Sequence, residues 1–214
     1  MIIKICGMRE AANIRAVEAL HPDWMGFIFW PKSSRRVSEK PTYLPTKCKR
    51  VGVFVDENIE TVKQIANDYA LDIIQLHGHE SPEYVAQLHE WEVVKAINIG
   101  TAEDLEQIRE YEGHADYFLF DTRAPVPAAS PAGSPAGSVP PGGTGVHFDW
   151  TVLADYVGET PFLLSGGIGP DDAERFLAFH HEKCIGIDLN SRFETAPGLK
   201  DVHKLKEFIK KIRQ

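Results

Sequence analysis

The chain has 214 residues, of which 43% are hydrophobic and 25% charged, and a formal net charge of -8. This length supports one substantial core. The negative balance argues against nucleic acid as a partner, since binding to a phosphate backbone needs clustered Lys and Arg. It leaves room for a small phosphate ligand held by backbone amides. The apolar runs are far too short to span a membrane, so we expect no membrane partner.

Cysteine usage favours a reducing compartment. Cys6, Cys48 and Cys184 are widely spaced and odd in number, and they match no disulfide framework or zinc pattern. The chain also begins inside an apolar strand-like run, which leaves no room for a signal peptide. Both observations predict a cytoplasmic protein.

Strand-like apolar runs alternate with helical patterns along the whole chain. The predicted strands cover 2–6, 24–29, 51–55, 72–77, 93–97, 116–121, 161–165 and 184–189. The predicted helices cover 9–20, 59–70, 81–90, 101–112, 148–157, 170–180 and 199–213. Pro41 and Pro45 lie in the second gap, 37–48, so any helix there is expected to be short or broken.

Two of the predicted helices carry clear start signals. In 59–70, apolar residues recur at spacings of three and four and form one face. Asn58 precedes this helix and can cap its free amides. Ser81-Pro82 gives a second start, with Ser at the N-cap and Pro at the first helical position.

Eight strands with intervening helices imply parallel strands joined by right-handed crossovers. We therefore predict an α/β fold, a (β/α)8 TIM barrel forming a single domain over 1–214. A doubly wound open sheet is the alternative, but it more often has five or six strands. Residues 124–143 contain only Ala, Pro, Val, Ser and Gly, with six Pro. We interpret them as an extended, flexible loop rather than an interdomain linker, because the alternation resumes directly afterwards.

Polar residues gather where the predicted strands end. Side chains alternate along a strand, so Lys4 and Cys6 share one face of the first strand. Lys95 is expected to occupy a similar place on the fifth strand. The other polar residues near these ends are Gln75, His77, Asp121 and Ser165. Polar groups inside a barrel are costly unless they are paired or used, so this gathering indicates a functional site.

Two glycine clusters follow the late strands. They are Gly142-Gly143-Thr144-Gly145 and Ser165-Gly166-Gly167-Ile168-Gly169. Glycine lets backbone amides approach an anion without a Cβ in the way. The loop after the seventh strand is also the usual phosphate site of a TIM barrel. The two clusters together predict phosphate binding.

The order of several motifs resembles the phosphoribosylanthranilate isomerase family of tryptophan biosynthesis. The resemblance covers the chain from its first strand to the region of Asp188. It rests on Lys4-Ile5-Cys6-Gly7, Gly26-Phe27-Ile28-Phe29, Pro31-Lys32-Ser33-Ser34-Arg35, Gln75-Leu76-His77-Gly78, Phe120-Asp121, Gly142-Gly143-Thr144-Gly145, Phe148-Asp149-Trp150 and Leu164-Ser165-Gly166-Gly167-Ile168.

The resemblance implies an Amadori rearrangement without metal or organic cofactor. The family converts N-(5-phosphoribosyl)anthranilate into 1-(2-carboxyphenylamino)-1-deoxyribulose 5-phosphate. By resemblance, Asp121 is the acid that protonates the ribose ring oxygen, and Cys6 is the base that removes the proton from C2. A free Asp titrates near about 3.9 and a free Cys near about 8.5, so both roles require shifted pKa values. We expect Lys4 to supply positive charge that favours the Cys6 thiolate.

Further site residues follow from the same resemblance. Arg35, rather than its neighbour Arg36, is expected to bind the anthranilate end of the substrate, since guanidinium suits carboxylate recognition. The other predicted substrate contacts are Gln75 and His77. The predicted phosphate contacts are Gly145, Gly166, Gly167, Asn190 and Ser191. The family commonly has Ser-Ser-Gly where this chain reads Asn190-Ser191-Arg192, so Arg192 either contacts phosphate or points to solvent.

Other interpretations remain open at this stage. A metal site at His77, His79 and Glu80 lacks the geometry of a helical His pair. Another phosphosugar barrel, such as indole-glycerol-phosphate synthase or a ribulose-phosphate epimerase, would need Lys and Glu residues or paired metal ligands that are not found. A non-catalytic phosphate-binding barrel, with a protein partner recruited by 124–143, is the third. We expect a small phosphosugar as ligand and a monomer or homodimer as the assembly.

Overall fold

A computed structural model of the chain describes residues 1–122 and 150–213. Eight parallel strands close into a barrel in chain order, each pairing with the next, and β1 pairs with β8. The strands are β1 (Ile2–Ile5), β2 (Trp24–Ile28), β3 (Lys49–Phe54), β4 (Ile73–Leu76), β5 (Glu92–Ile99), β6 (Tyr117–Thr122), β7 (Phe162–Ser165) and β8 (Cys184–Leu189). The barrel prediction is confirmed. The segment 124–143 and Gly145 lie outside the described residues.

Helices follow most of the strands. They are α1 (Ala11–Glu18), α2 (Ile59–Tyr69), α3 (Pro82–Val85), α4 (Ala173–Ala178) and α5 (Val202–Ile212). Asn58 caps α2 by accepting a hydrogen bond from the Glu60 amide at 2.9 Å, and Ser81 caps α3 by accepting one from the Tyr84 amide at 3.3 Å. Both start signals are therefore confirmed. No helix in the described ranges combines the length and apolar character needed to cross a bilayer.

Several predicted helices differ in the structure. The predicted helix 81–90 is an α-helix only over Pro82–Val85 and continues as a 3-10 helix over Ala86–Leu88, and the predicted helix 170–180 begins with a 3-10 helix over Pro170–Asp172. Residues Ala102–Tyr111 and Trp150–Asp155 form 3-10 helices rather than α-helices. In the first of these runs Ile108 is buried, while most of its neighbours are exposed, so packing supplies little drive for a regular helix. The last helix begins at Val202 instead of 199. There β10 (Leu199–Lys200) pairs with β9 (Glu194–Ala196) and forms a hairpin before it.

Apolar side chains divide between two cores. One cluster fills the barrel interior with Trp24, Val51, Ile73, Val94, Ala96, Leu119 and Leu163. The larger cluster packs the outer face of the strands against the helices. On β5, Val94 and Ala96 belong to the interior, whereas Val93 and Ile97 belong to the outer cluster. By alternation Lys95 shares the outer face, so the prediction that Lys95 joins the polar groups inside the barrel is wrong.

Candidate active site

Cys6 lies directly after β1, at the carboxyl end of the barrel. Its amide donates to the Leu189 carbonyl at 2.9 Å, which ties it to the end of β8. The side chain is only 3% exposed. Gly26 on β2 leaves the space for the thiol, since a Cβ at that glycine would stand 2.8 Å from Cys6 Sγ. Gly7 follows with φ +79°, a conformation that favours glycine.

A buried ion pair lies one step deeper on the same face of β1. Lys4 Nζ donates to Asp188 Oδ1 at 2.9 Å, and the Ser165 hydroxyl donates to Asp188 Oδ2 at 3.3 Å. The Lys4 side chain is fully buried, and that of Asp188 is 6% exposed. Burial opposes charge on Lys4, yet the Asp188 carboxylate and Cys6 raise the pKa of Lys4 above its ordinary value. Lys4 therefore remains an ammonium inside the barrel.

Opposing effects act on the Cys6 thiol. Burial raises its pKa, and Asp188 pushes the pKa in the same direction. The ammonium groups of Lys4 and Lys200 both lower it. The predicted influence of Lys4 is present, but burial outweighs it, and the net pKa of Cys6 lies above its ordinary value. Ionisation of Cys6 is therefore disfavoured in the resting site, and the thiolate is a strong base when it forms.

Gln75, His77 and Asp121 form a chain across the ends of β4 and β6. Gln75 Nε2 lies 3.2 Å from His77 Nδ1, and His77 Nε2 lies 3.3 Å from Asp121 Oδ2. In this amide orientation Gln75 donates to Nδ1, so a neutral imidazole carries its proton on Nε2, facing Asp121. Gln75 itself is 1% exposed and lies beneath His77. The side chains of His77 and Asp121 are each about a quarter exposed, at 28% and 25%.

Arg35 is held by a carboxylate that the sequence analysis did not single out. Its Nε donates to Glu194 Oε1 at 3.0 Å and Oε2 at 2.9 Å, and Nη2 lies 2.8 Å from Oε2. Glu194 thus takes the edge of the guanidinium formed by Nε and Nη2, and these contacts do not use Nη1. Arg36, the neighbour with which Arg35 could be confused, is exposed. The structure turns Arg35, and not Arg36, toward this carboxylate.

Lys200 lies at the centre of the same polar cluster. Its Nζ donates to Glu194 Oε1 and to Asn190 Oδ1, both at 2.7 Å, and the residue is 3% exposed. Asn13 on α1 fixes the Lys200 backbone through two hydrogen bonds, at 2.8 and 2.9 Å. Arg35 and Lys200 hold the pKa of Glu194 below its ordinary value despite its burial. The only sequence signal for this cluster is the Pro197-Gly198 turn between two charged residues.

The loop after β7 contains two glycines in conformations that favour glycine. Gly166 and Gly167 have φ values of +94° and +65°. Gly167 is exposed, and a Cβ placed there would meet nothing within 4 Å. Ser191 and Arg192 are exposed at the end of β8, and Arg192 Nε would lie 3.3 Å from a Cβ at Gly169. Arg192 therefore lies against the β7 loop.

A second buried ion pair supports the loop that follows β4. Lys95 Nζ donates to the Gly78 carbonyl at 2.7 Å and to Glu80 Oε2 at 2.8 Å. Glu80 accepts in turn from the amides of Asp56 and Gly78. This pairing explains why Lys95 lies on the outer face of β5. Its ammonium group there holds Gly78, the residue after His77, through the Gly78 carbonyl. Among residues 1–122 and 150–213, no group of three or more His, Cys, Asp or Glu side chains could hold a metal ion.

Comparison with known proteins identifies close relatives. The family model for N-(5'phosphoribosyl)anthranilate (PRA) isomerase matches residues 3–211. An N-(5'-phosphoribosyl)anthranilate isomerase from Parabacteroides distasonis is 50% identical over 99% of this chain and 93% of its own length. A phosphoribosyl anthranilate isomerase solved with reduced 1-(o-carboxyphenylamino)-1-deoxyribulose 5-phosphate superposes with a TM-score of 0.79 at 28% identity, over 100% of this chain and 99% of that chain. Monomers of the dimeric enzyme from Thermotoga maritima give 0.80 at 28% identity and the same coverage.

Proposed function

Because the chain belongs to the N-(5'-phosphoribosyl)anthranilate isomerase family, it is an isomerase of tryptophan biosynthesis, and we propose that Asp121 and Cys6 carry its proton transfers. The observation that supports these roles is their placement. Asp121 at the end of β6 and Cys6 after β1 bring an acid and a thiol to the carboxyl ends of the barrel strands, where TIM-barrel enzymes hold their chemistry.

Asp121 is the proposed general acid. It donates a proton to the ribose ring oxygen as the C1–O bond breaks, while the anthranilate nitrogen lone pair forms the C1–N double bond of the iminium. His77 Nε2, 3.3 Å from Asp121 Oδ2, holds the carboxyl group in place. Gln75 fixes the His77 ring from beneath, so we assign it a supporting place behind His77.

Cys6 is the proposed general base. Its thiolate takes the proton from C2 of the iminium, and the electron pair of that C–H bond forms the C1–C2 double bond as the iminium nitrogen becomes neutral. Tautomerisation of this enol then gives the ketone. The raised pKa of the thiol makes its thiolate a stronger base but lowers the fraction of thiolate present at neutral pH, so nearby positive charge is needed. Lys4 and Lys200 supply the positive charge that lets the thiolate form.

The ends of the substrate fit the two remaining parts of the site. The Nη1 end of Arg35 suits the anthranilate carboxylate, since Glu194 already takes the Nε edge. The amides of Gly166 and Gly167 suit the phosphate, together with Asn190 and Ser191, and the family resemblance adds Gly145, which lies outside the described residues. Arg192 lies against the same loop and adds a positive charge there. No metal or organic cofactor enters this scheme.

The activity is tested by following fluorescence as the purified protein consumes enzymatically generated phosphoribosylanthranilate. We expect a decrease at catalytic protein concentrations. Addition of EDTA is expected to leave the rate unchanged, because no step of the scheme uses a metal. A signal that stays constant would contradict the assignment, and a non-catalytic phosphate-binding barrel would then be the better description.

Replacing Arg35 by methionine is expected to raise KM about tenfold or more, because the substrate carboxylate loses its charge-assisted hydrogen bond to the guanidinium. Steady-state kinetics with varied substrate check this result. Arg36→Met is the matched control, since Arg36 is exposed and adjacent, and its KM is expected to stay near that of the wild type. Equal effects of the two substitutions would contradict the role of Arg35.

Gly26→Ala is expected to lower kcat about 10-fold to 100-fold, because the new methyl group would meet Cys6 Sγ at 2.8 Å and displace the thiol. Thermal unfolding should show that the variant still folds. Gly100→Ala is the control, since its Cβ would make only an ordinary 3.5 Å contact with Asp104. An unchanged kcat in Gly26→Ala would mean that the position of the thiol does not limit turnover.

For assembly and location we propose a monomer or homodimer in the cytoplasm. The dimeric relative from Thermotoga maritima supports the homodimer, and light scattering of the purified protein distinguishes the two states. All three cysteines, Cys6, Cys48 and Cys184, are free, which supports a reducing compartment.

A further inference from the structure

The hairpin formed by β9 and β10 brings a carboxylate and an ammonium to the rim of the site. Glu194 Oε1 accepts from Arg35 Nε at 3.0 Å, from the Gly198 amide at 3.1 Å and from Lys200 Nζ at 2.7 Å. The Arg35 and Glu194 side chains are 18% and 5% exposed. Three donors thus converge on one buried oxygen, and Lys200 is the only one of them that also reaches the end of β8.

Lys200 connects this carboxylate to the residue that follows the thiol. Its second bond goes to Asn190 Oδ1 at 2.7 Å. A Cβ at Gly7 would lie 2.9 Å from that oxygen, 3.0 Å from Arg35 Cδ and 3.5 Å from Lys200 Nζ. Gly7 therefore packs directly on the cluster of Arg35, Asn190 and Lys200.

We propose that Lys200 is a positioning residue: its ammonium group fixes the Glu194 carboxylate and the Asn190 carboxamide, and through Glu194 it sets the direction in which Arg35 presents its Nη1 end. Within residues 1–122 and 150–213, the contacts of Arg35 with Glu194 use Nε and Nη2 and leave Nη1 for a ligand carboxylate. A guanidinium held on one edge has less rotational freedom to lose when a ligand binds the other. The inference rests on the proposed function for the identity of that ligand.

A second consequence concerns the charge around Cys6. The charged groups that face the thiol are Lys4 on β1, Asp188 on β8 and Lys200 on β10, while Gly26 on β2 is uncharged. Among the described residues, the ammonium groups of Lys4 and Lys200 both act on the thiol, and Lys200 Nζ lies 3.5 Å from a Cβ built at Gly7, the residue after Cys6. Removal of the Lys200 ammonium should leave Cys6 less able to ionise, which is measurable without any turnover.

The test compares Lys200→Met with the wild type by two readouts. The first is the equilibrium Kd for reduced 1-(o-carboxyphenylamino)-1-deoxyribulose 5-phosphate, the compound bound by the solved relative. We expect it to rise about tenfold, an effect typical of coupled contacting residues. The second is the pH dependence of Cys6 alkylation by iodoacetamide, in a background with Cys48→Ser and Cys184→Ser. We expect slower alkylation at neutral pH and a profile moved to higher pH.

A double-mutant cycle separates positioning from simple support of the fold. In an Arg35→Lys background the fork that pairs with Glu194 is already lost, so Lys200→Met is expected to change Kd by less than about twofold. Glu194→Gln keeps the shape of the side chain and is expected to raise Kd in the same direction. If Lys200→Met does not fold, the Kd of Glu194→Gln is the test of the proposal. Lys49→Met, which removes a half-exposed pair with Glu92 at the opposite end of the barrel, is expected to leave Kd unchanged.

Unchanged Kd and alkylation in folded Lys200→Met would overturn the proposal, as would the same Kd effect with and without Arg35. If Lys200→Met does not fold, an unchanged Kd in Glu194→Gln overturns it. Failure of the proposed function would look different. Wild-type protein would then leave phosphoribosylanthranilate unconsumed, whether or not alkylation of Cys6 depends on Lys200.

Discussion

Replacing Cys6 by alanine is expected to lower kcat about 10²-fold to 10⁴-fold, the range typical for loss of a general base. The substitution removes the group proposed to accept the C2 proton and leaves Arg35 and the β7 loop in place. KM is therefore expected to change much less than kcat. The substitution removes one buried sulfur atom, which is a small change in the volume of the core, so the fold is expected to remain intact. Steady-state kinetics with thermal unfolding of the same sample check both expectations.

Cys48→Ala is the matched control for this prediction. Cys48 is free and half-buried near the amino-terminal ends of the strands, and burial raises the pKa of its thiol to about 12. Removal of the Cys48 thiol is expected to leave kcat within about twofold of the wild type, since substitutions away from the core and the active site have small effects. Near-normal turnover in Cys6→Ala would show that another group accepts the proton.

Lys4→Met is expected to lower the free energy of unfolding by about 3–5 kcal/mol, because it leaves the Asp188 carboxylate buried without its cation. Of the side-chain hydrogen bonds to Asp188 from the described residues, the 3.3 Å bond from the Ser165 hydroxyl would remain. Urea denaturation at neutral pH measures the loss. Lys4→Met is also expected to slow Cys6 alkylation, since the positive charge of Lys4, which lowers the pKa of the thiol, is gone.

Two further variants make the Lys4 prediction specific. Lys4→Met combined with Asp188→Leu is expected to recover most of the stability, because well-packed apolar replacements of a buried pair are often neutral or stabilising. Lys49→Met breaks a pair whose side chains are 43% and 38% exposed, and its cost is expected to be about 0–1 kcal/mol. A loss of unfolding free energy in Lys4→Met no larger than that in Lys49→Met would contradict the prediction. It would mean that Asp188 does not stay behind as an unpaired buried charge.

The sequence predicted the fold because the fold depends on repeating local patterns. Each apolar run and each cap, such as Asn58 or Ser81-Pro82, is read from a few neighbouring residues, and the count of eight strands follows from repeating that reading along the chain. Lys95 was misplaced for a related reason. A lysine within an apolar strand is expected to have a partner of opposite charge. Alternation alone does not show which face of β5 turns toward the barrel interior. The partner, Glu80, lies on a separate loop.

The sequence by itself determined that Cys6 and Asp121 lie at the carboxyl ends of two strands, and that a glycine loop follows β7. It did not determine how Arg35 is held or what charges surround Cys6. Those features depend on Glu194 and Lys200, which are more than 150 residues from Arg35 along the chain. Glu194 pairs with Arg35, and Lys200 pairs with Glu194, only in the folded chain. Side-chain ionisation follows burial and neighbouring charge, so only the tertiary structure decides it.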